Sequence, residues 1–305
     1  MMNEHELSSY KRAGEIAVQI KKYAREIIKP GMNLFDIATA IDDKIAELGA
    51  EPAFPVNLSI DEIAAHYTPE SHHEFVAKGL LKIDIGIAID GFIADTAISF
   101  DLTRDNKHKD MIELNKRILE NIEKIVRPKI KIREVGASAQ KTKEEWNEIH
   151  KTNFEIIRNL SGHQIGQHRI HAGFTIPNIV NESDYEIDDT GIAIEPFVTT
   201  GVGEIYEGDG GGIYTISSTS RPRDRDARKV VEFIKENYKT RPFCKRWLEK
   251  AGFTKLNFIF ASLVRQKIIY HYPLLIEKSK APVSQFENTF VLTENKVFIT
   301  TKEEG

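Results

Sequence analysis

The sequence predicts an α+β fold in which an antiparallel sheet is covered by helices. Three observations predict it. Helical periodicity opens the chain over two consecutive segments, a long β-hairpin signal follows at 80–102, and helical periodicity returns at 108–149. This succession does not fit the regular alternation of strand and helix that builds a parallel sheet.

The first two elements are amphipathic helices at 7–28 and 34–48. In each, apolar residues recur at intervals of three and four, which places them on one face of a helix. Pro30 and Gly31 end the first helix, because proline cannot continue it and glycine accepts the conformation found past a helix end. Residues 108–149 show the same periodicity, interrupted near Arg127 and Pro128.

The hairpin signal lies between Leu80 and Leu102. This stretch is rich in β-branched residues, and Asp90-Gly91 at its middle is a favoured two-residue turn. Further strands are expected at 192–197 and 285–292, where apolar residues surround one glutamate each.

Residues 221–270 are helical and charged, and strand character resumes only after Tyr272-Pro273. We therefore expect one domain over 1–305, with 221–270 as a helical subdomain inserted into it. The preceding segment, 204–213, is rich in glycine, but no Lys-Ser/Thr pair follows it. It predicts a flexible loop and not a phosphate-binding loop.

The chain of 305 residues contains 42 Lys and Arg against 46 Asp and Glu, a formal net charge of −4. This balance gives no electrostatic reason to expect binding to nucleic acid or to a lipid surface. The single cysteine, Cys244, excludes an intrachain disulfide and fits a reducing compartment, and we expect a buried structural thiol. No stretch has the pattern of a signal peptide or a membrane span, so we expect a cytoplasmic protein.

Asp84 and Asp95 are the first candidates for chemistry. If Asp90-Gly91 forms the turn, Gly86 faces Asp95 across the hairpin, and Asp84 lies diagonally from Asp95 on the same face. Two carboxylates held together among apolar residues repel each other unless they are protonated, paired with a cation or bound to metal. Gly86 is expected to leave space for a ligand beside Asp95. The alternative is that one carboxylate lies at a solvated strand end.

A cluster of glycines and histidines lies between Gly162 and Gly173. Histidine is the most common nitrogen ligand of metals, and glycine lets the backbone approach a ligand closely. His163 and His171 are the candidates for function, while His168 is expected to be incidental. A structural role for the histidines is the alternative.

Glu195 and Glu287 each adjoin an apolar strand, where a buried glutamate is costly unless it has a partner. The alternative for each alone is an exposed strand residue. Together with Asp84, Asp95 and His163 they supply four carboxylates and one imidazole, a set able to hold two divalent ions with a bridging carboxylate. Oxygen ligands with a single imidazole favour Mn, Fe, Co or Zn.

These residues and their order resemble the type 2 methionine aminopeptidases, above all the archaeal members, which are metallopeptidases of the pita-bread fold. The resemblance covers nearly the whole chain. The motifs that carry it are Ala53-Phe-Pro, Ala64-Ala-His66-Tyr-Thr-Pro, Ile83-Asp84-Ile-Gly with Asp95 eleven residues later, Arg158-Asn-Leu-Ser-Gly-His163 to His171-Ala-Gly, Ala193-Ile-Glu195, Gln285-Phe-Glu287 and Phe243-Cys-Lys-Arg-Trp-Leu. The last lies in the helical insert, the feature that separates the second type from the first.

The resemblance implies that two divalent metal ions are held by five ligands: Asp84, Asp95, His163, Glu195 and Glu287. Asp95 and Glu287 would bridge both ions, which lower the pKa of a bridging water and polarise the scissile carbonyl. Glu195 would also act as proton shuttle, and His171 would hydrogen-bond the carbonyl side of the substrate. His66 would stabilise the tetrahedral species or the leaving amine.

The implied reaction removes the initiator methionine from nascent proteins whose second residue is small, by attack of a metal-activated hydroxide on the peptide carbonyl. By the same resemblance, the methionine side chain would bind against Phe54, Ile170 and Tyr272. An apolar, aromatic pocket of this kind suits a thioether.

The expected partner is the N-terminus of a nascent chain, with the ribosome as a further partner. The chain opens directly into its first helix, whereas eukaryotic members carry a long charged extension, so docking through such an extension is not expected. We expect a monomer with no membrane partner and no direct role in binding nucleic acid.

Two alternatives stay open. An X-Pro aminopeptidase or dipeptidase of the same fold would use a similar set of five ligands, although the insert and the His66-Tyr-Thr-Pro motif favour methionine. A non-catalytic relative that binds RNA or protein would share the fold and the insert. It would have lost ligands, whereas all five positions here keep side chains able to bind metal.

Overall fold

The computed structural model describes residues 2–303. Seven α-helices occur in this range: α1 (Glu4–Ile27), α2 (Leu34–Glu47), α3 (Lys109–Glu123), α4 (Ile132–His150), α5 (Arg225–Asn237), α6 (Lys245–Lys250) and α7 (Leu256–Arg265). Helices α1 to α4 lie where the apolar periodicity predicts them. No helix within residues 2–303 is both long and apolar enough to cross a membrane.

The same range contains the strands, and every strand pairing in it is antiparallel. The strands are β1 (Glu51–Ile60), β2 (Ile63–Ala65), β3 (Leu80–Ile89), β4 (Phe92–Asp101), β5 (Ile130–Lys131), β6 (Glu155–Ile156), β7 (Ser161–Ile165), β8 (Thr175–Pro177), β9 (Glu186–Ile187), β10 (Gly191–Ile194), β11 (Phe197–Thr199), β12 (Ile205–Ile216), β13 (Phe243–Cys244), β14 (Ile269–Glu277), β15 (Val283–Gln285), β16 (Asn288–Leu292) and β17 (Val297–Ile299). The predicted α+β class, with an antiparallel sheet covered by helices, is confirmed.

Two sheets form the body of the protein. One has the order β1-β3-β4, and the other has the order β17-β16-β10-β7-β8. Helices α1 and α2 share a buried apolar cluster with the first sheet, and α3 and α4 share one with the second. Glu287, between β15 and β16, exchanges backbone hydrogen bonds with Ala97 of β4 and so joins the two halves.

The β3–β4 hairpin has the predicted register. Gly86 faces Asp95, and Asp84 faces Ala97. The prediction that Gly86 leaves space for a ligand is wrong, because the ring of Phe54 fills that space. A Cβ atom on Gly86 would lie only 2.3 Å from Cε1 of Phe54. The glycine therefore admits an aromatic ring next to Asp95.

Two predicted strands are each interrupted at a glutamate. The strand expected at 192–197 divides into β10 and β11 at Glu195 and Pro196, and the strand expected at 285–292 divides into β15 and β16 at Phe286 and Glu287. Pro196 lacks the amide that a continuous ladder needs. Strands β10 and β16 pair in one sheet, whereas β11 and β15 pair in another. Both glutamates therefore lie where the chain passes between the β17-β16-β10-β7-β8 sheet and the small β15-β11-β6 sheet.

The glycine-rich segment predicted as a flexible loop is instead part of strand β12. It pairs with β14, with register shifts after Glu207 and after Gly210. A Cβ atom on Gly210 would lie 1.8 Å from Cε1 of His271, and one on Gly211 would lie 1.7 Å from the carbonyl oxygen of His66. Glycine therefore serves close packing within a sheet here, and not mobility.

Strand β14 begins at Ile269, so the prediction that strand structure resumes only after Tyr272-Pro273 is also wrong. Pro273 lies inside β14 opposite Gly210, between the two register shifts of its partner strand. A proline is tolerated there because the regular ladder of hydrogen bonds is already interrupted.

Between β12 and β14, helices α5, α6 and α7 pack around an apolar cluster of their own. Asp42 of α2 holds this segment to the body, accepting hydrogen bonds from Nε of Arg246 at 3.0 Å and Nε1 of Trp247 at 2.8 Å. Cys244 is buried here, as predicted. Burial raises the pKa of its thiol to about 12, which suits a structural thiol and not a nucleophile.

Candidate metal centre

Four carboxylates and one imidazole converge where the β1-β3-β4 sheet meets the β17-β16-β10-β7-β8 sheet. The hairpin brings Asp84 and Asp95, the strand breaks bring Glu195 and Glu287, and β7 brings His163. Four of the five line a single cavity. The fifth, Glu287, places a carboxylate oxygen within 4.8 Å of ligand atoms of Asp95 and His163. The structure thus brings all five of the predicted candidates together.

His163 presents its Nε2 atom to the carboxylates. Its Nδ1 atom lies 3.3 Å from the carbonyl oxygen of Gln164, which only accepts, so Nδ1 carries the proton. Nε2 lies 3.6 Å from Oδ2 of Asp95 and 3.7 Å from Oε1 of Glu195. Burial lowers the pKa of the ring to about 3. A neutral imidazole with one fixed tautomer is the form that binds a metal.

Several carboxylate oxygens of this group have no partner. Oδ1 of Asp84, Oδ1 of Asp95 and both oxygens of Glu287 are buried without a hydrogen bond. Within residues 2–303, the ion pairs of the group involve only His163, and no lysine or arginine. A buried carboxylate without a cation is costly. The donor set, with four carboxylates and one imidazole nitrogen, therefore fits divalent cations such as Mn, Fe, Co or Zn.

The electrostatics of the group agree with this fit. Burial raises the pKa of Asp84 to about 7. Burial also raises the pKa values of Asp95, Glu195 and Glu287 well above the ordinary range, and repulsion from neighbouring carboxylates adds to the effect. The four groups ionise together only where positive charge is supplied to them.

Gln285 is a residue to which the sequence analysis gave no role of its own. Its side chain is buried, and Nε2 lies 3.5 Å from Oδ2 of Asp84 and 3.4 Å from Oε2 of Glu195. The amide therefore orients one oxygen of each carboxylate. The available signal was spacing, because Gln285 precedes Glu287 by two residues and so falls on the same face of the predicted strand.

His66 lies on another wall of the cavity in a constrained conformation. Its φ of 69° is in the left-handed region, which is uncommon for a residue other than glycine. Asn57, a second residue not predicted from the sequence, holds this turn, because its Oδ1 atom accepts a hydrogen bond from the His66 amide at 2.8 Å. Nδ1 of His66 donates to the carbonyl of Pro273 at 3.2 Å, which leaves Nε2 as an acceptor. Burial, the largest cause, lowers the pKa of the ring to about 4.

The other two histidines of the cluster differ in position. His171 lines the cavity, and the centre of its ring lies 4.4 Å from that of His163, edge to face. Burial lowers the pKa of His171. His168 lies outside the cavity lining, with Nε2 2.9 Å from Nζ of Lys239 and its ring against Gly91.

Apolar side chains form the remaining walls. Phe54, Ile170 and Tyr272, the predicted contacts of the substrate side chain, all line the cavity. Ile213 of β12 and Pro242 of the 221–270 segment also line the cavity, and neither was predicted from the sequence. The cavity volume is about 190 Å³, below the roughly 300 Å³ at which pockets for drug-sized ligands begin. Its size suits a single side chain.

Comparison of the sequence with known proteins assigns the chain to a family. Residues 8–233 match metallopeptidase family M24. The chain is 42% identical to a methionine aminopeptidase of Thermococcus onnurineus, over 95% of this chain and 97% of the relative. It is 39% identical to a methionine aminopeptidase of Methanocaldococcus jannaschii, over 97% of this chain and 100% of the relative.

A solved structure of a methionine aminopeptidase from Thermotoga maritima has the same fold. Its TM-score is 0.68 at 20% identity, and the match covers 99% of this chain and 98% of that one. This likeness supports the predicted pita-bread fold, and the sequence identities support a closer relation. The chain belongs to metallopeptidase family M24 and, within it, to the methionine aminopeptidases.

Proposed function

We propose that this methionine aminopeptidase is of the second type and acts on nascent proteins whose second residue is small. The observation that carries the proposal is a group of four carboxylates and His163, of which all but Glu287 line a small, largely apolar cavity. The segment 221–270, with Phe243-Cys-Lys-Arg-Trp, supports the second type. We propose that this segment is a subdomain inserted into the single catalytic domain 1–305, and that the enzyme works in the cytoplasm, where nascent chains arise.

Five residues are proposed as ligands of two divalent ions: Asp84, Asp95, His163, Glu195 and Glu287. Three of these carboxylates have oxygens without a hydrogen bond, and Nε2 of His163 carries no proton and faces Asp95 and Glu195, which supports the assignment. Asp95 and Glu287 are proposed as the shared pair. Bound at this position, two such ions lower the pKa of a water molecule and polarise the peptide carbonyl.

Glu195 is proposed as the residue that carries the proton. Gln285 holds its Oε2 atom at 3.4 Å, and Oε1 faces His163. Burial, followed by repulsion from Asp84, raises the pKa of Glu195 in the metal-free protein. With positive charge supplied beside it, the ionised carboxylate would act as a general base and take the proton that the attacking water releases. The proton then passes from this carboxyl group to the leaving amine.

His66 and His171 are proposed to position the substrate. Because Nδ1 of His66 donates to Pro273, its Nε2 accepts a hydrogen bond. An acceptor suits the N–H of the leaving amine and does not suit an oxyanion. Of the two roles predicted for His66, we therefore propose contact with the leaving amine. His171 is proposed to hydrogen-bond the carbonyl side of the substrate.

The side chain of the terminal methionine is proposed to bind against Phe54, Ile170 and Tyr272. All three line the cavity together with the carboxylates. A flexible thioether fills an apolar pocket well and makes favourable contacts with aromatic rings.

The ribosome is proposed as the partner that presents the substrate. Segment 221–270 contains 14 Lys and Arg against 5 Asp and Glu, whereas the whole chain contains 42 against 46. The whole-chain balance hides this local excess of positive charge, which favours contact with the phosphate backbone of ribosomal RNA. This proposal departs from the expectation, based on the whole-chain charge, of no direct contact with nucleic acid. Arg221, Arg223 and Arg225 are exposed near the N-terminus of α5.

Cosedimentation with ribosomes over a range of salt concentrations tests this partner. Replacing Arg221, Arg223 and Arg225 by glutamine should weaken binding and flatten its salt dependence. The matched control replaces the exposed residues Lys107, Lys109 and Lys116 by glutamine. Equal binding by both triple variants would refute docking through the 221–270 segment.

Peptide cleavage tests the proposed function itself. The enzyme should release methionine from Met-Ala-Ser faster than it cleaves any X-Pro peptide. Faster turnover of X-Pro peptides would favour the alternative aminopeptidase or dipeptidase of the same fold. Failure to bind any divalent metal in a calorimetric titration would favour the non-catalytic alternative.

A further inference from the structure

The cavity draws parts of its wall from segments far apart in the sequence. Phe54 belongs to β1, whereas Pro242 lies in the turn between α5 and β13. The strand at Phe54 is irregular, because the pairing of β1 with β3 shifts register between Pro52 and Phe54 and again between Phe54 and Asn57. The regular ladder therefore does not fix this part of the wall by itself.

Arg241 joins the two segments. It directly precedes Pro242 and is only 2% exposed. Its Nη1 atom donates to the carbonyl oxygen of Pro52, two residues before Phe54, at 3.0 Å. Its Nη2 atom donates to the carbonyl oxygen of Asn237 at 2.9 Å. One guanidinium group thus bridges the irregular part of β1 and the end of α5.

The remaining contacts of Arg241 differ in strength. Nε donates to the carbonyl oxygen of Tyr238 at 3.4 Å, and Nη2 also pairs with the carboxylate of Glu51. The side chain of Glu51 is 65% exposed, so solvent weakens this ion pair. The planar guanidinium directs its donors at fixed angles, which a lysine ammonium does not reproduce. The buried carbonyl contacts therefore carry the positioning.

We propose that Arg241 is a positioning residue that fixes the shape of the methionine pocket by joining Pro242 to the strand that carries Phe54. The proposal rests on the proposed function, because it takes the occupant of the pocket to be a methionine side chain. Arg241 lies behind the wall, so it acts through Phe54 and Pro242 and does not touch the substrate.

Steady-state kinetics of Arg241→Met test the proposal. The substrates are Met-Ala-Ser and the same peptide with leucine or phenylalanine in place of methionine. We expect KM for Met-Ala-Ser to rise roughly tenfold, the size of effect that one misplaced methylene has in an apolar pocket. We expect kcat to change by less than about twofold, because the groups near the peptide bond are unaltered. The preference for methionine over leucine and phenylalanine should fall.

Three further variants separate positioning from general docking. Arg241→Lys should retain more of the preference for methionine than Arg241→Met but less than wild type. Glu51→Gln should behave like wild type. Asp42→Asn removes a carboxylate that docks α6 against α2 without touching the cavity, so it should lower Tm without altering the preference. An unchanged preference in Arg241→Met, or an equal change in Asp42→Asn, would overturn the proposal.

The outcome stays informative if Arg241→Met does not fold. Arg241→Lys keeps the charge, and a wild-type KM and preference in that variant would also overturn the proposal. A wild-type enzyme that fails to release methionine would refute the proposed function before any variant is compared. The role of Arg241 would then be judged on the shift of preference for whichever terminal residue the wild type favours.

Discussion

The hydroxyl of Thr289 hydrogen-bonds both backbone groups of Asp95. The Asp95 amide donates to Oγ1 of Thr289 at 2.7 Å, and Oγ1 donates to the Asp95 carbonyl oxygen at 2.8 Å. Thr289 lies on β16, two residues after Glu287, and is fully buried. One side chain therefore fixes the separation of the two backbone segments that carry Asp95 and Glu287.

Replacing Thr289 by valine should weaken metal binding. Valine has a similar shape but offers neither the donor nor the acceptor, so β4 and β16 lose their fixed spacing. Partners that orient ligands in this way typically contribute about 10- to 100-fold to metal affinity. Calorimetric titration of the metal-free protein measures the loss, and Thr289→Ser should retain most of the affinity. Wild-type affinity in the valine variant would show that the hydroxyl does not position the ligands.

Removing the metal should destabilise the protein more at pH 8 than at pH 5. Burial raises the pKa of the four clustered carboxyl groups, that of Asp84 to about 7, whereas in an unfolded chain they titrate near about 4. The metal-free folded state therefore binds more protons than the unfolded state in this window. The free energy of unfolding of the metal-free protein therefore falls as the pH rises from 5 to 8.

Thermal unfolding of the chelator-treated protein between pH 5 and pH 8 measures this dependence. Metal-free Asp95→Asn should show a shallower fall in Tm, because one of the repelling charges is gone. A Tm that rises with pH in the metal-free wild type would contradict the raised pKa values.

Replacing Glu195 by glutamine should leave the fold intact and remove most of the turnover. The amide neither takes up the proton nor supplies the charge of the carboxylate. Loss of a general acid–base group of this kind typically lowers kcat by about 10²- to 10⁴-fold. The control is Glu148→Gln on the exposed face of α4. A kcat near that of wild type would rule out the proposed proton transfer.

Replacing His66 by alanine should lower kcat by about 100-fold or more, the usual cost of one lost transition-state contact. Metal content should stay the same, because His66 faces Pro273 and Tyr272 and is not grouped with the carboxylates. Elemental analysis beside kinetics separates the two effects. His150→Ala, at an exposed histidine, is the matched control. A large loss of bound metal would make His66 a ligand.

The sequence predicted the hairpin best, because a two-residue turn determines the register of both strands and hence which residues are opposite each other. Asp84 and Asp95 lie on one face for that reason. Apolar periodicity also predicted helices α1 to α4 correctly. These features depend on residues that are close together in the chain.

Features that depend on distant partners were predicted poorly. The glycines of β12 suggested mobility, but His66 and His271 pack closely against them in the folded protein. Gly86 suggested an open ligand space, which the ring of Phe54 fills. Arg241 carries no local signal, because its contact with Glu51 joins segments that lie 190 residues apart. Gln285 carries only its spacing from Glu287, and its contact with Glu195 joins segments that lie 90 residues apart.

Diffraction from crystals grown with Mn²⁺, measured at a wavelength where the metal scatters anomalously, tests the central claim most directly. We predict two anomalous peaks among Asp84, Asp95, His163, Glu195 and Glu287. Residues 2–303 contain one other group of possible ligands, Glu70, His72 and His73, although Lys245 already pairs with that glutamate at 3.0 Å. Metal bound only at this second group, or at neither, would contradict the account.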